Sequence, residues 1–93
     1  MIRLNCFIKV SEKNRAEVLE AAKRLTAASL CQDGCIAYDI FESATRPEVL
    51  MICETWADGA SLDAHAASEP FEKEVKIIRE LAEMKLESFP FSK

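Results

Sequence analysis

Between Val49 and Trp56 nearly every side chain is apolar, the run reading Val-Leu-Met-Ile-Cys-Glu-Thr-Trp. Alternate residues of a strand face opposite sides, so a strand built from this segment needs cover on both faces, not one dry side and one wet side. The first segment is different. From Ile2 to Val10 the even positions, Ile2, Leu4, Cys6, Ile8 and Val10, are all apolar, while the odd ones read Arg3, Asn5, Phe7 and Lys9. That is the period of a half-buried strand. Helices can cover one face of a sheet made from these two segments, and its other face calls for a second partner.

The remaining elements follow from local patterns. Asn14 followed by Glu17 resembles a helix start, and Leu19, Ala22, Leu25 and Ala28 or Ser29 recur at three-to-four spacing until Asp33-Gly34 stops the run. Cys35 to Glu42 reads as a second strand, joined to Val49–Trp56 as a hairpin through turn chemistry at Arg46-Pro47. Asp58 can cap a short helix over residues 61–67, after which Ser68, Glu69 and Pro70 open another with Phe71, Val75, Ile78 and Leu81 on one stripe. Met84 to Phe91 returns as a last strand, with Pro90 near its end where a missing donor matters little.

The pattern predicts one α+β domain over residues 1–93 in the order βαββαβ. This is the ferredoxin-like split unit, in which right-handed crossovers place the first and third strands at the centre of an antiparallel sheet with the helices on one face. A chain of this length buries only about 60–65% of the surface its unfolded form exposes, so further cover by self-association would help. The expected arrangement is a homodimer whose two sheets pack face to face.

Charge and motif content exclude several functions. Twelve basic against sixteen acidic residues give a net charge of −4, which repels a phosphate backbone and offers no polybasic patch to anionic lipid. Nucleic acid and membrane are therefore not expected partners. RNA-recognition modules share the strand order, but they need stacking aromatics and basic residues on the central strands, where this chain has residues 49–55. The first ten residues lack the apolar run of a signal peptide, so a cytoplasmic location is expected. Cys6, Cys31, Cys35 and Cys53 form no C-x-x-C and have one histidine to join them, so they are expected to be reduced, to pack as small hydrophobes and to bind no metal. Glycine-rich phosphate loops and a G-x-S-x-G elbow are missing, which leaves a bound nucleotide, a Rossmann-type flavin and a serine nucleophile without support. No cofactor is expected.

Few residues remain that could carry chemistry. His65 is the one histidine, and an unperturbed pKa near ~6.5 suits it to exchange a proton at neutral pH, although a lone histidine is also a common structural residue. Glu54 and Trp56 share a face of the third strand. A carboxylate amid Leu50, Ile52 and Trp56 either lies at the sheet margin, bonded to a helix N-terminus or an arginine, or belongs to a substrate site. Asn5 is the uncharged polar residue of the first strand and would join Glu54 and Trp56 if the two strands are adjacent. Its amide could bind a carbonyl or enolate oxygen, or only backbone. Tyr38, inside the second strand, suits a core better than a catalytic role.

The run Glu54-Thr55-Trp56-Ala57-Asp58-Gly59-Ala60-Ser61-Leu62-Asp63-Ala64-His65, followed by Ser68 and Phe71, resembles the antibiotic biosynthesis monooxygenase domain family, especially its quinol-monooxygenase-like members. The signature is E-x-W, a capped short helix, then A-H. Asp33-Gly34-Cys35-Ile36-Ala37-Tyr38-Asp39 is similar to that family's E-G-C-x-x-Y-D segment.

The resemblance implies a dimeric α+β barrel that oxygenates a quinol or polycyclic phenol with dioxygen and no metal or flavin. His65 would be the base, with Asn5 and Trp56 positioning the ring and its oxygen. Glu54, Phe7, Tyr38 and Phe71 would line the substrate site. Two departures narrow it. Ser68-Glu69-Pro70 stands where quinol-type relatives often carry T-P-H, and Val75 stands where haem-degrading relatives place their iron-ligating histidine. The family also contains isomerases of small phosphorylated sugars, and a non-catalytic binder of small ligands on the same scaffold is the alternative from another class.

Overall fold

The computed structural model describes residues 1–91, so the last two positions of the expected 1–93 domain lie outside the described residues. The elements are β1 (Ile2–Val10), α1 (Glu12–Leu30), β2 (Cys35–Glu42), β3 (Val49–Trp56), α2 (Gly59–Ala66), α3 (Glu69–Leu81) and β4 (Ala82–Pro90). The four strands form one antiparallel sheet in the order β2-β3-β1-β4, with β1 and β3 adjacent at its centre as the βαββαβ pattern predicts. This is the α+β, ferredoxin-like arrangement, with the second helical segment split in two.

Both hairpin strands have the expected bounds, because turn residues close them at each end. Between β2 and β3 the Ser43 hydroxyl accepts from the backbone N–H groups of Thr45 and Arg46. The helix α1 begins two residues ahead of Asn14, with Ser11 at its N-cap, and β4 begins at Ala82, not Met84. Pro90 sits at the end of the edge strand β4 opposite Ile2, where no ladder partner is lost. No helix among the described residues is long and apolar enough to cross a membrane.

Register decides which side chains share a face. Leu4 pairs with Glu54, Cys6 with Ile52 and Ile8 with Leu50, so the even positions of β1 and β3 point together toward the helices. With Val18, Leu25, Trp56, Val75 and Ile78 they form the core. The other face carries the odd positions, including Asn5, Phe7, Met51 and Cys53. Phe7, Phe41 and Phe89 are exposed there. The cysteines divide in a way the sequence reading did not expect: Cys6 is buried, Cys35 and Cys53 are half-buried, and Cys31 is exposed beyond the end of α1.

Candidate active site

The short helix α2 exists to the extent that it is capped. Asp58 stands at its N-cap, and its Oδ1 accepts the Ser61 N–H at 2.8 Å, satisfying one of the donors a helix start leaves open. Its entry is fixed from the other side by Gly34, which sits at φ 80° in the turn between α1 and β2 and whose carbonyl accepts the Ala57 N–H at 2.8 Å. These two anchors lay α2 over the helix-side face of the sheet. They place His65, near its last turn, at 2% exposure above Glu54 and Trp56 of β3.

Three aromatic rings hold the imidazole. Trp56 lies under it at 4.5 Å between centroids with a 34° tilt, Phe71 of α3 meets it edge-on at 5.1 Å, and Tyr38 of β2 stands at 5.6 Å. Its Nδ1 is 2.7 Å from Gln32 Oε1, which comes from the turn after α1. Its Nε2 is 3.9 Å from Glu54 Oε1, too far for a hydrogen bond, and has no partner among the described residues. Burial pulls the histidine down to about 4 from the ordinary 6.5, so it is neutral at physiological pH.

Glu54, 7% exposed, accepts from Trp56 Nε1 at 2.8 Å. Burial raises its carboxyl above the ordinary range, an effect that donation from Trp56 and the nearby Tyr38 hydroxyl partly offsets. Burial, then the Glu54 charge, likewise raises Tyr38. Of the sequence alternatives for Glu54, a bond to an arginine or a helix N-terminus does not hold; the indole N–H is its partner.

A cavity of about 350 Å³ opens beside this cluster. Its wall includes His65, Glu54, Tyr38 and Phe71 together with Leu4, Ile52, Leu62 and Val75, and Arg79 and Leu86 also border it. The volume lies at the small end of ligand sites, and the wall is apolar apart from a few convergent polar groups. Cys6 also contributes, its thiol pushed up to about 11 chiefly by burial, and so held in the unreactive neutral form.

The structure therefore brings His65, Glu54, Tyr38 and Phe71 together and separates two others. Asn5 pairs with Cys53, so it faces away from Glu54, and its Oδ1 accepts a weak bond from Cys53 Sγ at 3.5 Å. Phe7, opposite Met51 and 38% exposed, is on the same outward face. Within the chain neither reaches the cavity, because a one-residue step along a strand reverses the side chain. Trp56 belongs to the cluster but not to the cavity wall; its ring is wholly buried and its N–H is already committed to Glu54. Sequence reasoning missed Gln32, whose link to His65 spans 33 positions and follows no motif. Among the described residues no group of three His, Cys, Asp or Glu side chains is placed to hold a metal ion.

Comparison with known proteins places this geometry in a family. Residues 1–76 match the model of the family described as antibiotic biosynthesis monooxygenase. A relative from Bacillus subtilis strain 168, "Putative monooxygenase YcnE", is 32% identical over 72 residues, covering 77% of this chain and 76% of the relative. A crystal structure of a conserved Bacteroides thetaiotaomicron protein of unknown function, described as a possible oxidoreductase, is 59% identical. It superposes with a TM-score of 0.96 over 97% of this chain and 96% of that one. SnoaB of Streptomyces nogalater, described as a cofactor-independent oxygenase, shares the fold at 15% identity and a TM-score of 0.87, over 99% and 93% of the two chains. The chain belongs to the antibiotic biosynthesis monooxygenase family.

Proposed function

We propose that the protein is a monooxygenase acting without metal or flavin on a quinol or polycyclic phenol, with His65 as general base and dioxygen as co-substrate. The observation that carries this reading is a buried, neutral imidazole with an unpartnered Nε2, set in the wall of an apolar cavity beside a buried carboxyl group. The names borne by YcnE and SnoaB support it.

The chemistry follows from the dry surroundings. An imidazole held at about 4 keeps its lone pair free across the physiological range, but alone it is a weak base because burial disfavours the imidazolium. A bound quinol supplies a counter-charge in direct contact. Transfer of its hydroxyl proton to Nε2 creates an imidazolium–phenolate pair whose attraction in low dielectric offsets the desolvation. Glu54, at 3.9 Å from Nε2, is the next group to feel that proton.

The electron-rich phenolate then reduces dioxygen directly. Quinol plus dioxygen gives hydroxyquinone plus water, one oxygen atom entering the ring and the substrate supplying all four electrons. Leu4, Ile52, Leu62 and Val75 keep water from the intermediate. Nε2 is closed to solvent in the free chain, so the substrate hydroxyl reaches it by displacing half-buried wall side chains such as Phe71 or Leu62. Catalytic hydrogen bonds commonly tighten in this way on binding.

The working form in this reading is a cytoplasmic homodimer in which a second copy covers Phe7, Phe41 and Phe89. A non-catalytic binder of small ligands is the second reading, favoured by the closure of Nε2. An oxygen electrode separates them. Chelator-treated protein mixed with a series of quinols and polycyclic phenols should consume dioxygen and give a product enriched by one oxygen atom. Saturable binding without uptake across the series would select the binder.

A further inference from the structure

Ser68 occupies the N-cap of α3, where a serine oxygen ordinarily accepts a backbone N–H of the first turn, yet it makes no capping bond. Its hydroxyl is engaged elsewhere. Ser68 Oγ donates to the His65 carbonyl at 2.6 Å and accepts from Gln32 Nε2 at 3.1 Å. A hydroxyl has one proton, and a contact of 2.6 Å between two oxygens requires that proton to lie between them. Ser68 can therefore only accept from Gln32, which fixes the amide with its nitrogen toward Ser68 and its oxygen toward His65. Gln32 Oε1, 2.7 Å from Nδ1, has no proton to give, so Nδ1 must carry the hydrogen and Nε2 the lone pair.

We infer that Gln32, held by Ser68, is a positioning residue that locks His65 in the Nδ1–H tautomer and so directs the basic lone pair of Nε2 to the Glu54 side of the site. The arrangement is local, closed and polar in a surrounding of aromatic rings, and a helix cap is given up to make it. Without the Gln32 acceptor, the Nε2–H tautomer would face Glu54 Oε1 at 3.9 Å, and the base would already hold the proton it should take. The inference rests on the monooxygenase reading for its catalytic consequence, but not for the tautomer itself.

The chain has one histidine, so a long-range ¹H–¹⁵N spectrum of tag-free, labelled full-length protein contains one imidazole. At pH 7 the wild type should show Nδ1 protonated and Nε2 bare. Gln32→Met keeps the side-chain length and removes the acceptor, and should shift the proton to Nε2. Gln32→Glu restores an acceptor and should return it to Nδ1. With a turned-over quinol, Gln32→Met should lower kcat by about 10–10⁴-fold with little change in KM, the range spanned when an orienting partner or the tautomer is lost. A wild-type spectrum with Nε2 protonated would overturn the inference, as would a Gln32→Met spectrum unchanged from it. So would full kcat in a Gln32→Met protein whose tautomer has moved. Should wild type consume no dioxygen, the monooxygenase reading falls while the spectra still decide the tautomer.

Discussion

A histidine held neutral by burial ties stability to acid as well as to chemistry. The folded-state pKa of His65 is about 4, below the unfolded value of 6.5, so in that interval the unfolded chain binds the proton more readily. Its contribution is complete above pH 6.5 and is lost as pH falls toward 4. Glu54 works the other way, since a raised carboxyl pKa favours the folded state at low pH and loses that contribution as pH rises. Urea titrations of wild type and His65→Phe from pH 7 to pH 4 isolate the first effect. The wild type should lose on the order of 3 kcal/mol more than the variant over that range. Equal losses would mean that His65 titrates normally. Trp56 makes a larger and simpler prediction: with its ring wholly buried under His65, Trp56→Ala should destabilise by about 3–5 kcal/mol and disorder the imidazole.

At the scale of elements, the site depends on how α2 is pinned to the sheet. A Cβ at Gly34 would overlap the Ser61 Oγ and Cβ in the first turn of α2, and its φ of 80° is costly for any other residue. Gly34→Ala should therefore destabilise by roughly 2–4 kcal/mol, read as a lower melting temperature, and Ser61→Gly in the same chain should recover part of it. No recovery would mean that backbone strain alone is responsible. The elements themselves were legible because their signals are local: Asp58 caps α2, Asp33-Gly34 turns the chain from α1 into β2, and Arg46-Pro47 turns it from β2 into β3. Asn5 and Phe7 were misplaced although the deciding pattern was present. The alternation that sends Leu4, Cys6 and Ile8 inward sends Asn5 and Phe7 outward, and the doubly apolar β3 hid which of its faces meets the helices. Gln32 and Ser68 were beyond reach, since their roles depend on a turn, a helix end and an imidazole meeting in space.

The whole molecule has one face of its sheet under helices and the other bearing Phe7, Phe41 and Phe89 in the open. If a second copy covers that face, sedimentation at micromolar concentration should give about twice the mass of one chain, and Phe7→Glu should shift it toward the monomer. A wild-type monomer would remove the barrel. Proton transfer to His65 is read by dioxygen uptake at saturating quinol in wild type, His65→Ala and His65→Phe. Both substitutions should lower kcat by about 10²–10⁴-fold with the fold intact, the range expected when a positioned acid–base group is removed. Uptake by His65→Ala at the wild-type rate from pH 5 to pH 9 would rule out a base at this position and leave the histidine as no more than part of the cavity wall.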